Sequence, residues 1–176
     1  MLVPFPALNP MTPRRTRTEG LMMCEYCGCR SVTAIDQLTR EHDTVVNLIG
    51  DVRAAHAAGD AVRMAELARR ISAVLAPHTE VEEHGLFPLL ADDFPDHVAA
   101  LEAEHRRVEA VLGAARTEVP ADPGWPQQLM ETLELLREHI LKEQDGVFPA
   151  ALTTLSGADW DSVDAVRARV GSPAAH

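Results

Sequence analysis

Along most of the chain apolar residues recur at three- and four-residue steps, with Gly and Pro mainly at the borders of these stretches. That period is the mark of amphipathic helices. The first predicted helix covers about residues 33–58, with Ile35, Leu38, Val45, Ile49 and Val52 on one face and Gly59 as its stop. The second starts at the cap Asp60 and presents Ile71, Leu75, Leu86 and Leu89. The third starts near Pro95 and Asp96, turns Val98, Leu101, Val108 and Leu112 inward, and ends in the Pro-rich stretch 119–126. The fourth carries Leu129, Leu133, Leu136, Ile140 and Val147 toward Phe148 and Pro149. A shorter amphipathic segment over 158–170, with Trp160, Val163 and Val166, is expected to pack back over the others, capped by Ser156 or Asp159.

An internal repeat organises these helices. His78, Glu82, Gly85, Phe87 and Pro88 match His139, Glu143, Gly146, Phe148 and Pro149 position for position. Upstream, Leu38, Glu41, His42 and Val45 match Leu101, Glu104, His105 and Val108. Each half is therefore a helical hairpin of one design, and two such hairpins predict an all-α, up-down-up-down antiparallel four-helix bundle. The bundle domain is assigned to residues 31–172, with a short C-terminal helix, and residues 1–30 to a disordered leader with a Cys-rich segment.

The repeat carries the chemistry. Residues four apart on a helix share a face, separated by about 6 Å of axial rise, so His78 with Glu82, and His139 with Glu143, address a common centre. His42 lies nine residues from the predicted start of its helix, His78 ten from Pro88, His105 nine from Asp96 and His139 ten from Pro149. In an antiparallel bundle those four ends meet at one pole, and counts that agree to within one residue place the four histidines in one layer. A single inward histidine is more often a hydrogen-bonded core residue; four at equal depth beside two carboxylates point to a metal centre. His56, His97 and His176 lack this placement, and His84, six residues after His78, falls about 240° around the helix. Glu102 and Glu109 flank His105 at helical spacing and offer either a further carboxylate or a solvated face. Pro77 should kink the second helix beside His78. A ferritin-like di-iron bundle would need Glu-x-x-His on two helices, and only Glu102 to His105 fits.

Composition narrows the partners. With 176 residues and 46% hydrophobic content the chain can build one ordinary core. The formal charge of −11 argues against general nucleic-acid binding and against anionic membranes, and no apolar run has the length of a membrane span. The first twenty residues hold four prolines and Arg14, Arg15 and Arg17 without the apolar stretch of an export signal; Met22 or Met23 is an alternative start. All three cysteines, Cys24, Cys27 and Cys29, fall within six residues. That cluster suits zinc or another soft metal, or reversible thiol chemistry, in a reducing compartment, and the expectation is cytoplasmic.

The paired His-x-x-x-Glu motifs, each preceded by a lone histidine one helix earlier, resemble the hemerythrin-like (HHE cation-binding) family over about residues 35–170. The resemblance implies two non-haem irons bridged by Glu82 and Glu143, with His42, His78, His105 and His139 as terminal ligands, and a small diatomic or peroxide ligand. Oxygen carriers of that family have a further histidine where this chain has Leu101, and an aspartate five residues after the last histidine where this chain has Glu143 at four. Both departures weaken the carrier reading, and the histidine layer with open coordination positions makes sensing or processing of oxygen, peroxide or nitric oxide the leading expectation, with catalase-like or nitric-oxide-consuming activity included. Reversible carriage, iron sensing or storage, and a structural metal site are the alternatives.

Overall fold

The first helix, α1 (Cys29–Ala57), begins a few residues earlier than the apolar pattern suggests and ends at Gly59, whose φ of 67° suits a residue without a Cβ. The structure is a computed structural model that describes residues 29–171, with side chains from residue 33 onward. Cys24, Cys27, the side chain of Cys29 and nearly all of the expected leader lie outside these residues. The next helix, α2 (Ala61–Val81), is capped by Asp60, whose carboxylate accepts a hydrogen bond from the Arg63 amide at 2.9 Å. The third, α3 (Pro95–Gly113), starts at its proline as expected and stops before the Pro-rich stretch. The fourth, α4 (Trp125–Lys142), opens on a buried Trp125 whose indole N–H donates to the Val111 carbonyl at 3.2 Å.

These four helices close a ring in which α1 packs on α2 and α4, and α3 packs on the same two. Two shorter helices follow, α5 (Phe148–Thr154) and α6 (Gly157–Val170), and α6 lies against α1 and α2. Both expected caps of α6 act together: the Ser156 hydroxyl and the Asp159 carboxylate form a reciprocal capping box.

The second and fourth helices are not straight runs to Pro88 and Pro149. Each passes at its ligand-type glutamate into a π-helical turn, Glu82–Leu86 and Glu143–Val147, in which the Phe87 and Phe148 amides bond to the carbonyls five residues back. In an α-helix a residue five positions on lies roughly 140° around the axis. The wider turn instead sets each phenylalanine above its glutamate, facing the bundle. Helical backbone then runs on past Pro149, because that proline sits in the first turn of α5 where no N–H is required. Gly85, inside the first π turn, permits close approach of α6: a Cβ there would lie 3.4 Å from the Val163 backbone.

The core divides in two. One cluster joins Val45, Ile49, Ile71, Val108, Leu133 and Leu136; the other joins Leu38, Val81, Phe87, Leu101, Phe148 and Trp160. Along each bundle helix the histidine falls at the border between them, so the apolar packing is interrupted by one layer of buried histidines and glutamates. No helix among the described residues is long and apolar enough to cross a membrane.

Candidate metal centre

The polar layer contains His42 from α1, His78 from α2, His105 from α3 and His139 from α4, together with Glu82 and Glu143 from the first residues of the two π turns. All six are buried, both glutamates completely. The imidazoles stand in pairs, with ring centroids 4.6 Å apart for His42 and His78 and 4.5 Å apart for His105 and His139. Their Nε2 atoms turn toward the carboxylates. Glu143 presents Oε2 to His42 at 3.1 Å and Oε1 to His139 at 3.0 Å, one oxygen to each pair. Glu82 Oε2 lies 3.2 Å from His78 and 3.5 Å from His105, so it too spans the pairs.

These approaches are near enough for ion pairs but are not aligned as hydrogen bonds. Both nitrogens of His42, Nε2 of His139 and all four oxygens of Glu82 and Glu143 lack a hydrogen-bond partner among the described residues. Buried polar atoms in that condition are costly unless something else engages them. Donor atoms of His42, His78, Glu82 and Glu143 lie within 4.8 Å of one another, as do those of Glu82, His105, His139 and Glu143, so each group can hold a metal ion and both use the same two glutamates. Imidazole and carboxylate donors without thiolate suit iron, zinc and related divalent metals.

A second ring of side chains orients the first. Nδ1 of His78 lies 2.8 Å from Glu41, Nδ1 of His139 lies 2.9 Å from Glu104, and Nδ1 of His105 lies 2.9 Å from Glu83. Each contact fixes a ring so that Nε2 points into the centre. Arg167 of α6 reaches Glu41 at 3.0 Å, and Lys142 reaches Glu104 at 2.5 Å. Phe148 stacks on His42 at 5.6 Å and Phe87 on His105 at 5.8 Å, the same relation in both halves of the repeat.

Burial opposes a charged imidazole at His78, but the Glu82 charge, the contacts with Glu41 and Glu82, and the Glu143 charge together raise its pKa from the ordinary 6.5 to about 10. At His139 burial is likewise outweighed, first by contact with Glu143 and its charge, and the pKa rises to about 9. Glu143 is driven the other way: burial would raise its pKa, yet His139 and His42 hold it well below the usual carboxylate range. Glu41 and Glu104 are lowered against burial by their histidines and by Arg167 and Lys142.

The six residues singled out from the sequence are thus brought together. The others are not. His84 is exposed beside Glu80, His56 and His97 are exposed, and Glu102 pairs weakly with Arg106 at 3.9 Å. His176 lies outside the described residues. Sequence reasoning missed Glu41, Glu83 and Glu104 as partners of the histidines. The signal for two of them was present, since Glu41 and Glu104 occupy matched repeat positions directly before His42 and His105.

A helical bundle with a buried layer of histidines and glutamates grouped in two metal-sized sets defines a metal-binding four-helix protein. The hemerythrin HHE cation-binding domain model matches residues 33–151, and the chain belongs to that family. No curated protein and no solved structure matches the chain.

Proposed function

We propose that the chain is a non-haem di-iron protein that senses or processes oxygen, peroxide or nitric oxide. The supporting observation is the sharing of Glu82 and Glu143 between two four-residue groups, each with its donor atoms within 4.8 Å. On this reading His42 and His78 serve one ion, His105 and His139 the other, and the glutamates bridge. Each ion then has four protein donors, fewer than the six that iron commonly takes. Bound there, the irons supply redox chemistry and open positions for a small ligand.

The chain's own residues hold and shield that centre. Glu41, Glu83 and Glu104 fix three imidazoles, while Phe87 and Phe148 cover two of them with apolar faces. A cleft of about 570 Å³ between α2 and α3, bordered by Ala73, Pro77, Glu83, Arg106 and Glu109, reaches all four histidines. It offers a path for a small ligand. Pro77 lacks an N–H, so the Ala73 carbonyl beside the cleft loses its usual helical donor. The clustered Cys24, Cys27 and Cys29 fit a reducing compartment, the cytoplasm, and either a soft-metal site or thiol chemistry.

Turnover separates processing from carriage. Iron-loaded protein should consume hydrogen peroxide or nitric oxide steadily; a stable, reversible oxygen adduct with no consumption of either would favour the carrier instead.

A further inference from the structure

The two halves of the repeat differ at one position that touches the centre. Glu83 follows Glu82 in the first half, and its carboxylate engages Nδ1 of His105 at 2.9 Å. The matching residue after Glu143 is Gln144. Nδ1 of His42, the histidine related to His105 by the repeat, has no partner among the described residues although it is fully buried. Three of the four imidazoles are therefore backed by a carboxylate and the fourth is not.

A carboxylate behind an imidazole orients the ring and increases its basicity toward a metal, and removing such a partner typically costs 10–100-fold in affinity. The pair His105 and His139 has this support at both rings, from Glu83 and Glu104. The pair His42 and His78 has it at one, and Glu41 is shared there with Arg167, as Glu104 is with Lys142. The charge sharing is balanced between the halves; Glu83 is not.

We infer that the two metal positions are unequal, with the position formed by His105 and His139 filling first and that formed by His42 and His78 filling second, and that Glu83 sets the ranking. This rests on the two-ion reading above. Glu83 acts through His105 and is a positioning residue.

The test is anaerobic titration of metal-free protein with Co²⁺, followed by calorimetry and visible absorption, which needs no turnover. Repulsion between neighbouring cations separates two binding steps by itself, so the ranking is read from which step each variant moves. Glu83→Gln should weaken the tighter step by about 10–100-fold and leave the weaker step nearly in place. Gln144→Glu, which gives His42 the missing carboxylate, should strengthen the weaker step by up to a similar factor. If Glu83→Gln weakens mainly the second step, the positions are intrinsically alike and the ranking is overturned. If Gln144→Glu leaves both steps unchanged, the role of this repeat position is overturned without recourse to the first variant. One equivalent of Co²⁺ in the unaltered protein would overturn the two-ion reading, and the ranking with it.

Discussion

Glu41 on α1 holds Nδ1 of His78 on α2 at 2.8 Å, with the opposite ring nitrogen 3.2 Å from Glu82. The same arrangement joins Glu104, His139 and Glu143 in the other half. Glu41→Gln and Glu104→Gln are each expected to weaken metal binding by about 10–100-fold while the bundle remains folded. Competition against a chelator of known affinity, with helicity followed by circular dichroism, provides the check. Unchanged affinity in both variants would mean that these carboxylates do not tune the ligands.

The ring stacked on His42 gives a stability prediction. Phe148 is 2% exposed, and Phe148→Ala should cost about 3–5 kcal/mol through lost burial and the cavity left behind. Leu152, 45% exposed on the same short helix, should change stability by no more than about 0.5 kcal/mol when replaced by alanine. Denaturant titration of the two variants decides; equal losses would contradict the placement of the π turn that brings Phe148 inward.

Most of the helical order was legible in the sequence, because Leu38, Val45, Ile49 and Val52 keep one face and all are fully buried. The histidine layer was legible for a different reason: the repeat fixes equal distances from His42, His78, His105 and His139 to one pole. The π turns were not. Inserting one residue into a helix leaves the apolar pattern on either side nearly intact, and only tertiary packing of Phe87 and Phe148 on the imidazoles reveals it. Glu83 was hidden too, since its repeat partner is Gln144 and a lone charged residue on a helix reads as solvated surface.

The metal-free protein should show a distinctive pH dependence. With pKa values raised from 6.5 to about 10 and about 9, His78 and His139 stabilise the fold fully below about pH 6.5, and that contribution is lost as pH rises through 9 to 10. Glu143, lowered from 4.5, contributes above that pH, and its contribution is lost as pH falls through the depressed value. Metal ligation requires neutral imidazole, so metal uptake near neutral pH should release protons and remove the alkaline decline. Melting temperatures of both forms from about pH 6 to 10 test this. Parallel curves would show that protonation of the two histidines is not linked to metal binding.

Every proposed ligand of the di-iron centre lies downstream of residue 28, and α1 begins at Cys29. Removal of residues 1–28 should therefore leave the melting temperature and iron content unchanged. Retained iron with altered turnover would assign Cys24 and Cys27 a part in the reaction; loss of iron would place part of the di-iron centre upstream.

The proposed di-iron centre depends most on Glu82 and Glu143 serving both ions. Iron content per chain, measured in protein with verified helicity, tests this most directly in the unaltered chain, in Glu82→Ala and Glu143→Ala, and in the variant with both changes. About two irons are expected in the first. Each single change should lower occupancy of both positions, and the double change should abolish binding. Full loading of the double variant with two irons would contradict the shared-carboxylate centre.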